Sequence, residues 1–599
     1  MKKSLLLLTF VFTFLTGITS SYASHMAGGE IRWECLPNGK YVFYMDVYRE
    51  CSGTTFYFPS TQTISYQNGS ILMKPDINRF NSYGAGNISP IGLSGLKRSC
   101  SNPSQLGATQ MFPFVSDPVT LNGTPPAGGW LFTWTLCCRP FSIANITNPA
   151  SRSFTLRARM YPHPGQISSQ CFDSSPEFSE LPAVFYCKGN PQIYNLGGVD
   201  NDMDSLVYSW DLPWDKINTP ATFSQGYSFD NPLPDTAFHP LNVPAVLNNQ
   251  TGEVSFQTFS GQSGQQFTST IRVDSYRDGI LIASVYRDAP FIGLDCPFNT
   301  QPSAMFDSNP AQGFVDTIYP GEFVDIPLLF EDVDFDSSSM QLQEIAVTPN
   351  GQNFSLDYAD STNCRDSLFG PCATLTPVPT YDSILKENVL KGIGAVNARF
   401  QWQTNCSHIG SDAGKLYNFI FKVKDAAVDF PGVIYPSLSL YVAPIAPNIL
   451  HIGNTLFAAD TADSYQWYFN DTLIPNSDIN KIAVDSMGKY SLAVVKFNCP
   501  SMKTHYYYTN VGLLESSWAE DVKLYPNPFN EHFVLETSSI PLNQMQFKLM
   551  DISGREVKMK VDLKSDRAFI LPDMHLKNGI YLLEITSENN RTTKKLIKM

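Results

Sequence analysis

The sequence predicts an all-β protein of tandem β-sandwich modules, and three observations carry that expectation. Aromatic residues reach 13%, with 28 Tyr and 41 Phe, and they gather in short runs of the kind that make strands. Those runs are interrupted by 42 Pro and 38 Gly, together with Asn and Asp, the residues that turn a chain. Long apolar stretches at helical period are missing. At 599 residues the chain exceeds what one core supports, so four or five domains are expected. With 43% hydrophobic and only 16% charged residues, those domains should be packed rather than disordered.

In chain order, the first element is a secretory signal. Lys2-Lys3 supply the positive start, Leu5 to Ile18 the apolar stretch, and Ser21-Tyr22-Ala23 the small residues before cleavage. Residues 1–23 are therefore expected to be removed, leaving Ser24-His25-Met26 in front. The apolar stretch is short for a span of ~20 residues, and no second run of spanning length follows. The mature chain is thus expected to lack a transmembrane segment. Export fits the twelve cysteines, because disulfides persist in oxidising compartments.

Residues 24–190 form a Cys-rich β module. Its start reads as a hairpin over 31–51 turning at Asn38-Gly39, a strong turn signal. Cys35 then faces about position 42, and Cys51 lies ~30 Å further along the strand. A bridge needs Cα atoms within about 7 Å, so Cys35 and Cys51 are not expected to pair. The remaining connectivity stays open.

Residues 191–296 and 297–446 read as two related modules. Each opens on an Asp-rich loop, Asp200/Asp202/Asp204 and Asp332/Asp334/Asp336, and each has a later strand ending in Asp, at Asp274 and Asp425. Carboxylates at i, i+2 and i+4 can converge on a hard cation, which makes these six loop residues the candidate calcium ligands, with Asp274 and Asp425 placed to help. The same residues also form turns by bonding their own backbone. Calcium is the only cofactor expected.

Residues 447–512 read as an immunoglobulin-like domain. Trp467 sits on an aromatic strand, and Asp485-Ser486-Met487-Gly488-Lys489-Tyr490 leads into a tyrosine corner. Leu492 stands where an inter-sheet cysteine would be. Residues 513–520 read as a linker. Residues 521–599 differ in charge, holding 12 Lys+Arg against 10 Asp+Glu in a chain of net −14. Alternation at Phe547/Leu549 and Tyr581/Leu583/Ile585 predicts half-buried strands there.

This last segment resembles the type A sorting domain of type IX secretion substrates. The resemblance rests on Tyr525-Pro526-Asn527-Pro528-Phe529, Gly554 after Ser553, Asn578-Gly579-Ile580-Tyr581 and the closing Lys594-Lys595-Leu596. It implies a small β-sandwich that engages the type IX secretion machinery, after Sec export to the periplasm, and delivers the protein to the outer-membrane surface or beyond. Residues 24–445, with Gly28-Gly29-Glu30, Tyr48-Arg49-Glu50-Cys51, Cys137-Cys138-Arg139 and the Asp loops, resemble gliding-motility-associated and adhesin-like surface proteins. The Asp loops themselves are similar to those of cadherin-like modules.

No metalloprotease, nucleophile-elbow, P-loop or dinucleotide fingerprint occurs, and a pI near 5.1 does not suit a nucleic-acid binder. The expected function is a non-enzymatic, adhesin-like or structural surface protein, with a surface glycan or protein as ligand. The rival readings are a carbohydrate-binding accessory protein, with a platform among the aromatics of 39–59 or 460–470, and a hydrolase over 24–296 with paired carboxylates.

Overall fold

The computed structural model describes residues 26–51, 58, 60–89, 93, 100, 108–167, 170–180, 184–296, 299–336, 340–351, 353–365, 370–410, 414–427, 431–508, 521–537, 541–551, 554–564, 567–573, 576–587 and 590–599. The signal peptide (1–23), Ser24-His25, the linker 513–520, Ser337 and Ser553 lie outside the described residues. Among the described residues nearly every regular element is a strand, and the chain divides into two compact units. One holds residues 1–447, 460–465 and 493–503; the other holds 448–459, 466–492 and 504–599.

The first unit starts from the expected hairpin. Strands Met26–Cys35 and Tyr41–Glu50 pair with Cys35 opposite Tyr41, one position short of the reading above, and Gly39 turns the chain at φ 77°. Cys35 bridges to Cys171 and Cys51 to Cys100. The other pairs are Cys137–Cys138, Cys187–Cys296, Cys364–Cys372 and Cys406–Cys499.

The sheet that grows from this hairpin does not stop at position 190. It has 13 strands, and the long strands Gln265–Arg277 and Ile280–Leu294 belong to it. Ile280–Leu294 meets Met26–Cys35 at Gly29–Asp288 and Ser153–Met160 at Ala283–Met160, which returns the sheet upon itself. The boundary expected at 190/191 therefore does not separate two sheets. The reason is steric and visible at Gly28-Gly29. A Cβ on Gly28 would stand 2.2 Å from the Asp288 carbonyl oxygen, and one on Gly29 2.5 Å from that of Asp46. Glycine is what lets three strands approach this closely.

Inside the closed part, Ile31, Trp33, Phe43, Met45, Phe112, Phe114, Phe132 and Phe154 form a dry core. The seam is held by charges taken out of water in pairs. Arg287 donates to both oxygens of Glu30 at 2.6 and 2.7 Å, and Arg139 reaches Asp288 at 3.2 Å. Removing one member of such a pair strands the other, at about 3–5 kcal/mol.

Residues 299–446 form a two-layer sandwich. Phe323–Glu331 and Ala395–Gln403 lie side by side in a five-stranded sheet, and Glu344–Asn350, Lys415–Asp425 and Ser437–Val442 in a seven-stranded one. Buried and exposed positions alternate along Phe323–Glu331 and Ala395–Gln403, so one face meets solvent while the other packs. Phe330, Phe354, Phe400, Trp402, Phe419 and Phe421 fill the space between the sheets. The sandwich is joined to what precedes it: Asn195 donates to the Ser437 hydroxyl at 2.7 Å, the Tyr194 and Tyr435 rings meet edge to face at 5.4 Å, and Gly313 N–H donates to Glu253 at 3.0 Å.

In the second unit Trp467 is fully buried, and the Tyr490 hydroxyl donates to the Ser486 carbonyl at 3.0 Å, the tyrosine corner read from the sequence. Residues 521–599 fold as two four-stranded sheets around Phe529, Phe533, Leu535, Leu549, Ile570, Leu583, Ile585 and Leu596.

Candidate metal centre

Both Asp loops begin with the same local chemistry. Asp200 Oδ1 accepts the backbone N–H of Asp202 at 3.0 Å and of Asp204 at 3.2 Å. Asp332 Oδ1 accepts that of Asp334 at 2.9 Å. Each leading Asp is thus turned inward to shape its own loop, so neither triad converges as a set of three.

The first loop gathers a different trio. Asp202 and Asp204 meet Asp173, with carboxylate oxygens within 4.8 Å of one another, and the three could hold a metal ion. Asp200 is not among them: its Oδ2 accepts the Ser275 hydroxyl at 3.0 Å, and burial pushes its carboxyl up to about 7. Asp173 was missed because it comes from a segment 27 residues upstream, just after the bridged Cys171. Burial, and then the charge of Asp200, hold its carboxyl well above the usual range.

Arg277 already faces this trio. Its Nε and Nη2 donate to the two oxygens of Asp204 at 2.9 and 2.6 Å, and Nη2 also reaches Asp173 at 2.7 Å. A two-pronged guanidinium–carboxylate contact is among the stronger charged hydrogen bonds. Asp202 accepts the Ser174 N–H at 2.6 Å. Asp274, expected to help close the site, instead pairs with Arg272 at 3.0 Å and accepts from Ser284.

In the second loop, Asp334 accepts the N–H and hydroxyl of Thr300 at 2.6 and 2.9 Å, and Asp336 lies in a short strand paired with Gln341. Asp334 still stands close enough for its charge to add to the rise of the Asp332 carboxyl. Asp425 also comes near: burial pushes its carboxyl up to about 7, and the charge of Asp332 adds to the rise. Asp332 itself is raised to about 6 by burial.

The sorting motif has a structural account of its own. Asn527 donates to the Lys595 carbonyl at 2.8 Å and accepts the Ile597 N–H at 2.9 Å, tying the motif to the last strand as a backbone amide would. Tyr525 donates to Glu536 at 2.7 Å. Pro526 and Pro528 flank Asn527 and carry Phe529 into the core, 5.0 Å from Phe533. Gly554 turns the chain at φ 82°. Asn578 and Gly579 lead into Gly579–Ser587, where the Tyr581 hydroxyl donates to the Lys577 carbonyl at 2.7 Å.

Among the described residues, the aromatics expected as a sugar platform go largely into cores, while Phe56 and Tyr57 lie outside the described residues. Tyr41, Phe43 and Tyr48 are buried, as is Trp467, and Phe469 packs on Tyr490 at 4.9 Å. Among the described residues no helix is long and apolar enough to cross a membrane.

Residues 523–599 match the family model described as the secretion system C-terminal sorting domain, so the chain carries a type IX sorting domain at its C-terminus. The chain matches none of the curated proteins compared with it. Among solved structures it is similar to a biofilm associated protein BSP domain (9% identity, 80% of this chain and 98% of that one, TM-score 0.20). It is also similar to Sidekick-1 immunoglobulin domains 1–5 (8%, 80% and 97%, TM-score 0.16) and to the four N-terminal Ig domains of a Dscam1 isoform (9%, 71% and 98%, TM-score 0.13). The all-β assignment rests on the strand pairing above and takes nothing from these superpositions.

Proposed function

We propose that this chain is a non-enzymatic, adhesin-like or structural protein of the cell surface, whose last domain is spent on export and whose first unit makes the contacts. The observation that carries the reading is the sorting-domain match over residues 523–599, which implies passage to the surface or the medium. Six disulfides support it, since bridged cysteines suit an oxidising exterior. The continuous sheet and sandwich offer wide faces for a surface glycan or protein. Every donor of the Asp173, Asp202 and Asp204 trio is oxygen, a set that suits a hard cation such as calcium or magnesium, and the Arg277 guanidinium supplies positive charge at that place.

Mass spectrometry of surface and medium fractions tests the reading, with and without working type IX export. The expected mature form starts near Ser24, lacks the region after about residue 520, and stays periplasmic in the export-defective strain. A form that keeps residues 521–599 and leaves the cell in both strains overturns it.

A further inference from the structure

The two Asp loops occupy matching places in two strand pairs. In the first, Ser205–Asp211 pairs with Gln265–Arg277 and its second residue, Leu206, lies opposite Ser275. In the second, Glu344–Asn350 pairs with Lys415–Asp425 and its second residue, Ile345, lies opposite Asp425. The leading Asp of each loop faces that opposite residue. Asp200 finds a hydroxyl there and accepts a hydrogen bond from it. Asp332 finds a second carboxyl group, Asp425, which in its ionised form has nothing to donate.

The consequence is a set of buried oxygens with no partner among the described residues. Asp332 Oδ2 has none, and Asp332 is 3% exposed. Gln343 Oε1 has none, and Gln343 is 6% exposed. Gln301 Oε1, on a half-buried residue, has none either. These groups share one neighbourhood. Asp332 N–H donates to the Gly394 carbonyl, and Gly394 N–H to that of Gln343, at 2.9 and 2.8 Å. Gln343 then donates to Asn299 at 3.2 Å, and Asn299 to Asp425 at 2.9 Å. A Cβ on Gly432 would stand 2.4 Å from Asp425 Oδ2 and 2.9 Å from Gln301 Oε1, so these two oxygens crowd one spot. Leaving several buried acceptors unsatisfied is costly, and a cation is the kind of ligand such a set of oxygens takes.

We propose that Asp332 and Asp425, with the side-chain oxygens of Gln343 and Gln301, bind one divalent cation of the calcium class. Two carboxylates and neutral amide oxygens, completed by water, are a donor set calcium accepts; a soft or nitrogen-preferring metal finds no ligand there. The site lies where the chain enters the second sandwich, since Gln301 also donates to Gln192 at 3.3 Å. Its ion ties residues 299–301 to the strands that end at Asp425 and begin at Glu344.

The test uses the full exported chain, stripped with chelator and returned to calcium, with magnesium alongside. Bound metal is counted by elemental mass spectrometry and the unfolding midpoint is followed. The expected result is one equivalent of calcium retained and a midpoint raised by a few degrees. The equivalent and the shift should survive Asp173→Asn and vanish in Asp425→Ser, which copies the hydroxyl of the first loop. Should Asp425→Ser not fold, Asp332→Asn serves, since its amide can donate to Asp425. Calcium held equally by the folded variant, lost only in Asp173→Asn, or never held by the stripped wild type overturns the proposal.

Discussion

The first and second Asp loops share a sequence pattern and an opening turn, yet they solve the problem of buried carboxylates in different ways. In the first, Ser275 supplies a hydroxyl to Asp200, and Arg277 supplies a fixed positive charge to Asp173 and Asp204. In the second, the residue opposite the loop is Asp425, and Asp332 keeps an unpartnered oxygen. The difference teaches that a run of Asp at alternate positions specifies a turn, while what stands across the sheet decides whether the turn needs an ion.

Taking away the first loop's built-in cation should have the largest effect. Arg277→Ala leaves Asp173 and Asp204 buried without their guanidinium, and stability in chelator should fall by about 3 kcal/mol, read by denaturant unfolding. Calcium should restore part of that loss, because the trio would then resemble the second site. If calcium restores nothing, the two loops differ in more than their cation.

Ser275→Asp makes the reciprocal swap. It sets a carboxylate against Asp200 and removes a buried hydrogen bond, for a loss of roughly 2 kcal/mol in chelator. An unchanged midpoint would show that Asp200 does not depend on the hydroxyl.

The pH dependence of the ion-free protein is the next largest effect. The carboxyls of Asp200, Asp332 and Asp425 are raised from 3.8 to about 7, 6 and 7 in the folded chain. Between those values and 3.8 the folded state holds protons that the unfolded state has released, so stability falls as pH rises through this window. The midpoint should therefore climb as pH is lowered from about 8 to about 5, and Asp425→Ser should flatten the climb. A midpoint that falls over this range contradicts the burial described for these groups. The smallest effect belongs to Asp202→Asn. Asp202 is well exposed, so a loss of about 0.5 kcal/mol is expected in thermal unfolding.

These loops also mark how far the sequence could be read. Asp200 and Asp332 were legible as turn residues, because an Asp bonds the backbone two residues on. Asp173 and Arg277 were not, because they reach the loop from distant strands and no local spacing announces them. Asp425 was legible as a strand end placed to help the second loop, but not as the residue set against Ile345, since that depends on the register. The same division holds for the fold. The Asn38-Gly39 hairpin, the tyrosine corner at Tyr490 and the sorting motif around Asn527 are local devices and could be read directly. The return of Ile280–Leu294 to Met26–Cys35 could not, because Gly28-Gly29 declares a close approach without naming the strand that approaches.

That return sets an order of events for the growing chain. Gly29 is made early, but its neighbour Asp288 arrives only after most of the first unit has been synthesised. Until then Met26–Cys35 presents an unpaired hydrogen-bonding edge, the feature that recruits wrong partners. Pairing at such distance is slow to find. A chain of this design needs shelter between its synthesis and its closure, and a truncation anywhere before residue 294 should yield an aggregating fragment instead of a smaller folded one.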